Sequence, residues 1–340
     1  MTSEYIPPFT LTNKTLTLVA QISEAIGRLT VQAEHEKLLR LRKVNRMRTV
    51  KGSLAIEGNT LTEQQITAIL DGKRVIAPPK EVQEAHNAIA AYDVIRNWQP
   101  TKTNDLLSAH QILMKGLVEQ AGMFRCKGGC VMSGDKVVHM APQADRVPML
   151  MTQLFTWLTK TDVHPLIASC VFHYEFEFIH PFDDGNGRMG RLWQTLILSK
   201  WHDVFINIPV ESLVHQHQSD YYLAIRKSTE LTDSSPFIEF MLQMILDAIY
   251  TSGSSRKIGV NDGVSVGIND GINDGVKLSK LQQLILFKIQ ETPSITMQAL
   301  ANQLTKSIRT IERHIKVLND NNYIERVGSA KTGHWKVKNS

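Results

Sequence analysis

The chain has 340 residues, 42% of them hydrophobic and 21% charged, the balance of a globular protein with room for two or three domains. No run of eighteen apolar residues is present and the opening Met-Thr-Ser-Glu-Tyr lacks a basic start and apolar stretch, so neither a membrane span nor a secretory signal is expected; three cysteines, an odd number, fit a reducing, cytoplasmic setting without a disulfide framework. The net charge of +5 is uneven: residues 277–340 carry 11 Lys/Arg against 4 Asp/Glu, a net +7, which leaves −2 for the rest and marks the tail as a candidate nucleic-acid module.

The first 250 residues read as mostly helical. Leu16, Val19, Ile22, Ile26 and Leu29 recur near a 3.6-residue period and predict one helix face. A second helix is expected over the Lys/Arg-rich stretch 35–50, and another over 104–118. Cys126 and Cys130 form a C-x3-C pair without companions at zinc spacing, so they read as thiols flanking a loop. From Cys130 to His139, two small apolar arms flank Ser133-Gly134-Asp135-Lys136, the pattern of a β-hairpin. Helices follow over 147–158, 165–178, 188–201 and 237–249; Pro165 suits a first helical turn, where its missing N–H costs little. Residues 251–276 repeat Asn-Asp-Gly too often for a packed helix and lack the closing Glu of a calcium loop, so they read as a linker. Three short helical patterns then precede two candidate strands, 323–327 and 333–337, which is the element order of a winged helix-turn-helix. The expected division is 1–100 as an N-terminal helical region, 101–250 as a core, 251–276 as linker and 277–340 as a separate domain.

The chemistry concentrates in His180-Pro-Phe-Asp-Asp-Gly-Asn-Gly-Arg-Met-Gly-Arg191. Gly185, Asn186 and Gly187 can form a nest of main-chain N–H groups, and a helix starting near Arg188 adds its positive end at the same place. Arg188 and Arg191, three residues apart, share one side of the first turn and are both expected to reach a docked phosphate chain. Asp184 suits magnesium, a hard cation that shares oxygen ligands with phosphate. His180 is the group here able to accept a proton near neutral pH. Phe182 is expected to anchor the loop in the core. A base, a metal ligand and a phosphate cradle thus lie within twelve residues.

This stretch resembles the H-P-F-x-[D/E]-G-N-G-R-x-x-R signature of Fic-domain proteins, and the resemblance extends over roughly residues 1–250. It implies a mainly α fold, a Fic-type helical bundle with a small β-hairpin flap, and transfer of AMP from ATP to a Tyr, Thr or Ser hydroxyl of a target protein or of the chain itself. His180 would take the hydroxyl proton. Asp184 would hold Mg2+ (or Mn2+) on the α- and β-phosphates. Gly185, Asn186, Gly187, Arg188 and Arg191 would bind the phosphates. The 130–139 hairpin matches the family's flap, which holds the target by strand pairing, with Val131, Met132, Val137 and Val138 at its contact positions. Tyr221 and Tyr222 resemble the aromatic pair of the nucleotide pocket; where many relatives carry Asn seven residues on, this chain has Thr229. Ser53-Leu-Ala-Ile-Glu57-Gly resembles the family's inhibitory motif, in which Glu57 would pair with Arg191 and exclude the γ-phosphate. Removal of AMP, or transfer from another nucleotide, stays open, and the resemblance allows a homodimer.

The tail resembles the winged-helix domain that several Fic proteins carry. Ile308, Ile311, Ile315 and Leu318 predict one buried face of a helix, which leaves Arg309, Arg313 and Lys316 for the major groove of duplex DNA, with Arg326, Lys331 and Lys336 near the wing. A DNA-binding regulator in which the Fic domain acts as a sensor is the rival reading from a different class. A protein-docking module is the rival for the tail alone.

Overall fold

The computed structural model describes residues 5–31, 35–128, 130–133 and 136–254, and in the tail 282, 285–286, 288–289, 293, 295–303, 308–320, 323–327 and 334–337. The chain divides into two compact units, 1–260 and 261–340.

The first unit is helical, as its periodicity predicts. Its helices are α1 (Asn13–Val31), α2 (His35–Ile56), α3 (Glu63–Leu70), α4 (Pro79–Val94), α5 (Thr103–Leu113), α6 (Val147–Lys160), α7 (Pro165–Ile179), α8 (Asn186–Trp201), α9 (Val210–Gln216), α10 (Gln218–Leu231) and α11 (Ser235–Ser254). The centre is α7. Thirteen of its fifteen residues are buried, which is what a helix apolar on nearly every side requires. It packs against α6, α8 and α11; α1 lies along α11, and α2 along α9. Gly190 of α8 permits the close α7–α8 approach: a Cβ there would stand 2.8 Å from the His173 ring. Gly52 of α2 does the same against the main chain of Glu211 and Ser212 in α9.

Four local expectations are corrected. Leu16 is 55% exposed, and the buried stripe of α1 runs instead through Leu18, Ile22, Ala25 and Ile26. The helix expected over 104–118 stops at Leu113, because the chain turns at Met114 and reaches a positive φ of 71° at Gly116. Thr251–Ser254 are helical rather than linker; the Thr251 hydroxyl donates to the Asp247 carbonyl one turn back at 2.8 Å. The rest of the linker, 255–276, lies outside the described residues. Four helices, α3, α4, α9 and α10, were not anticipated. The Thr62–Gln65 capping box that opens α3 was a readable signal, as was the Pro78–Pro79 start of α4.

Strands β1 (Cys130–Ser133) and β2 (Lys136–Met140) pair antiparallel where the two arms were expected, with a register shift between Val131 and Met132, and β2 lies beside α10. The turn residues Gly134 and Asp135, and the side chains of Val131, Met132, Val137 and Val138, lie outside what is described.

In the second unit, α12 (Met297–Gln303) and α13 (Ile308–Asp320) precede antiparallel strands β3 (Ile324–Val327) and β4 (His334–Val337). Ile311, Ile315 and Leu318 of α13 join Ile285, Ile289, Leu300, Ile324 and Trp335 in a separate core, while Ile308 stays 39% exposed at the helix start. This is a winged helix-turn-helix. Arg313 and Lys316 are exposed on α13, and Arg326 lies 5.0 Å over the Trp335 ring. The Arg309 and Lys336 side chains, and Lys331, fall outside the described residues.

Candidate active site

The α7–α8 connection carries the signature residues and faces a cleft of about 210 Å³. Helix α7 ends because His180 adopts a left-handed conformation, φ 50° and ψ 62°, which turns its ring back over the last helical turn. The ring is 17% exposed and lines the cleft. Phe182 is fully buried and stacks flat on His110, with centroids 3.7 Å apart. The Asn186 side chain closes the loop, accepting from the Phe182 N–H at 2.9 Å and donating to the Phe182 carbonyl at 2.8 Å. Its part is therefore to hold the loop, while its main chain opens α8.

The phosphate cradle differs in form from a two-glycine nest. Only Gly185 has a positive φ, 83°, and it caps α8; Asn186 and Gly187 already belong to the first helical turn. The donors are therefore the free N–H groups of a helix start. Gly187 instead faces two side-chain tips: a Cβ there would meet Glu57 Oε1 at 2.6 Å and Arg191 Nη1 at 3.0 Å, and those flexible ends would have to shift. Gly185 combines both demands, since a Cβ would also stand 2.6 Å from Met114 Sδ.

Asp184 is half exposed beside this helix start, and its Oδ1 accepts the Gly185 N–H at 2.6 Å. Its carbonyl is held by His110. Because the Gly122 N–H donates to His110 Nδ1 at 2.8 Å, the Nε2–H must donate to the Asp184 oxygen, 3.0 Å away. Burial pushes His110 down to about 4, so it serves as a neutral donor.

The two arginines part company. Arg191, 2% exposed, lines the cleft and donates from Nη2 to Glu57 Oε1 at 2.7 Å and to the Ser53 carbonyl at 3.1 Å. Burial opposes its charge, but the Glu57 carboxylate, joined by Tyr221 and Glu177, holds the guanidinium above its ordinary value. The Ser53 hydroxyl sits 3.5 Å from Nε, so the serine acts mainly through its main chain. Arg188, expected to reach the same phosphates, is absent from the cleft wall. Its guanidinium lies 3.5 Å from Glu84 and 3.3 Å from Asp184, and the Glu84 carboxylate on α4 draws it away.

Tyr221 and Tyr222 of α10 both line the cleft. Tyr221 is also core. The Gln194 oxygen takes the His173 Nδ1–H at 2.8 Å, so His173 Nε2 accepts the Tyr221 hydroxyl at 3.2 Å. Thr229 bonds the Tyr174 hydroxyl at 3.1 Å, and Ile225 from the preceding turn lines the cleft in its place.

Sequence reasoning missed Glu177. It is 4% exposed, lines the cleft, and stands 3.9 Å from His180 Nδ1, while its Oε1 has no hydrogen-bond partner among the described residues. Burial pushes the carboxyl up to about 7, against the pull of Arg191, with Glu57 adding to the rise. Its position one turn before His180 on a helix apolar all round was the available signal. The folded state binds this proton more tightly than the unfolded chain, so stability falls as pH climbs from the ordinary carboxyl value through about 7. Glu177→Gln is therefore expected to stabilise the protein at pH 8.5, by at most on the order of 3 kcal/mol, and to gain nothing at pH 4.5. Thermal melts at the two pH values check this; equal changes in Tm at both would count against it.

Comparison with known proteins agrees with this geometry. Residues 100–198 match the Fic/DOC family and residues 278–325 a winged helix-turn-helix DNA-binding family. The crystal structure of a Fic family protein from Desulfovibrio desulfuricans G20 is 40% identical, covers 99% of both chains and superposes with a TM-score of 0.71. Protein adenylyltransferase Fic of Nematostella vectensis is 28% identical over 223 residues, 61% of this chain and 49% of that one. The chain thus spans about half the length of the curated relatives it matches. Fic-1 of C. elegans, at 22% identity, shares the fold with a TM-score of 0.59 over 72% of each chain.

Proposed function

The chain belongs to the Fic family, and from that premise we propose that it is a protein adenylyltransferase held off by Glu57, moving AMP from ATP to a hydroxyl of a target protein or of itself and releasing pyrophosphate. The observation that carries the reading is one cleft in which His180, Asp184 and the α8 helix start face each other while Glu57 occupies Arg191.

The steps follow from the residues. His180 takes the proton of the target Tyr, Thr or Ser hydroxyl as its oxygen attacks the α-phosphorus. The bond from that phosphorus to the β-phosphate's bridging oxygen breaks, and pyrophosphate departs with both electrons. The free N–H groups at Asn186 and Gly187 hold phosphate oxygens, and Arg191 carries the γ-phosphate charge once Glu57 withdraws. Arg188 acts from behind the loop, steadying Asp184. Asp184 fits Mg2+ or Mn2+, because it is one half-exposed carboxylate beside the phosphate cradle, and magnesium takes most of its ligands from phosphate and water. Held by Asp184, such an ion would supply positive charge against the phosphates. Tyr221, Tyr222 and Ile225 form the less polar wall suited to the nucleoside. Strands β1 and β2 would pair with the target's backbone.

The fate of label tests this reading. ATP labelled at the α-phosphate should mark protein, and ATP labelled at the γ-phosphate should not. Label retained from the γ-position would indicate phosphoryl transfer instead and end the proposal.

The second unit supports an added reading, duplex DNA binding by α13, because Arg313 and Lys316 stand exposed opposite the buried Ile311–Ile315–Leu318 face, with Arg309 on the same helix. The full chain should bind duplex DNA with an affinity that falls steeply as salt rises. No retention on DNA at low salt would remove this reading and leave the unit as a protein-docking module.

A further inference from the structure

Arg125 has no part in the steps above, yet it is 3% exposed and makes an unusual set of hydrogen bonds. Its main-chain N–H donates to the Pro181 carbonyl at 2.9 Å. Its Nε donates to the His180 carbonyl at 2.7 Å. Nη1 reaches the Lys127 carbonyl at 2.7 Å, and Nη2 reaches those of Pro142 at 2.6 Å and Ile179 at 3.3 Å. All its side-chain hydrogen bonds among the described residues end on main-chain oxygens.

The positions of those oxygens matter more than their number. Ile179 and His180 are the end of α7, where helical carbonyls lack partners and a cation is favoured. Lys127 precedes β1 and Pro142 follows β2. One rigid planar group therefore ties both feet of the strand pair to the residue that carries the base. A guanidinium suits this because its donors lie in a fixed fork; an ammonium would place its three donors without that plane. Burying a full charge among carbonyls is costly, so the arrangement calls for a return beyond packing.

We propose that Arg125 is a positioning residue: it fixes where the β1–β2 strands hold a target peptide relative to the His180 ring, and so where the acceptor hydroxyl lies. The inference rests on the transferase reading above. Reaction rates are steep in such placement, since a shift of about 1 Å costs roughly 100-fold. The nucleotide cradle is built from α8 and α10, whereas the hydrogen bonds of Arg125 end on Lys127, Pro142, Ile179, His180 and Pro181, so ATP affinity should stay as it is.

The test uses the full chain with Glu57→Gly, so that the cleft is open, combined with Arg125→Ala or Arg125→Lys. The acceptor is this chain's own His180→Asn variant, and the donor is ATP labelled at the α-phosphate. Acceptor labelling should fall about tenfold or more while the Kd for ATP stays within about twofold. Added guanidinium ion should restore labelling to Arg125→Ala in a saturable way and leave the Glu57→Gly parent unaffected, which lost folding could not imitate. Full labelling in Arg125→Ala overturns the proposal, as does a loss matched by lost ATP binding that guanidinium does not repair. If the parent itself fails to label the acceptor, self-modification fails, and amide exchange over residues 130–140 still decides the positioning role. Faster exchange in Arg125→Ala that guanidinium slows again supports it, and unchanged exchange overturns it.

Discussion

Glu57→Gly should raise incorporation of α-phosphate label from ATP by about 10- to 100-fold. The size follows from what the side chain does to Arg191. A hydrogen bond between charged groups contributes roughly 1.5–3 kcal/mol, and each 1.4 kcal/mol is a factor of ten in occupancy. The Arg191–Glu57 contact is 2.7 Å, on an arginine 2% exposed, but the Glu57 side chain is 31% exposed, so solvent screens part of it and the lower end of that range is expected. The same change carries a second signature. Without nucleotide, Arg191 loses its closest carboxylate while staying buried, so the mutant's Tm should drop below that of the wild type. With ATP, a phosphate replaces the carboxylate, and the nucleotide-induced gain in Tm should be larger in the mutant. Equal labelling of both proteins, or an equal Tm gain with ATP, would sink the inhibitory role. Ser53→Ala should do little by comparison, because the main-chain carbonyl at 3.1 Å rather than the hydroxyl at 3.5 Å holds Arg191.

How much of this was legible in the sequence depends on how local each signal was. The His180–Arg191 motif was legible because its parts lie within one loop and one helical turn. The Glu57–Arg191 pairing spans 134 positions and came only from resemblance. Two features of the motif depend on residues far from it in sequence. Gly187, expected in a nest, lies in the first helical turn and faces the side-chain tips of Glu57 and Arg191. Spacing alone puts Arg188 beside Arg191, because residues three apart share a helix side, but Glu84 on α4 competes for the first guanidinium. Glu177, His110 and Arg125 escaped for a common reason. Each works through partners distant in sequence or through main-chain atoms, which leave no pattern in the order of side chains.

Removing the base gives the other large effect, and the choice of replacement decides what is learned. General-base catalysis contributes typically about 100- to 10,000-fold, so loss of His180 should lower label transfer by that order. The residue also has a structural duty, since its φ of 50° ends α7 and its carbonyl anchors Arg125 at 2.7 Å. Alanine at such a φ is strained by roughly 1–2 kcal/mol, whereas asparagine adopts this region readily. His180→Asn should therefore keep the loop, the Arg125 bond and the Tm, and lose only the imidazole. The Kd for ATP should also hold, because the α8 helix start and Arg191 are untouched. Measured in the Glu57→Gly background, transfer by His180→Asn should fall at least about 100-fold at unchanged Tm and Kd. Transfer that persists in this variant would mean that another group takes the proton. Glu177 would then be the first suspect, since it is buried beside the same ring, lines the same cleft and is pushed up to about 7. The double variant with Glu177→Gln would decide between the two bases.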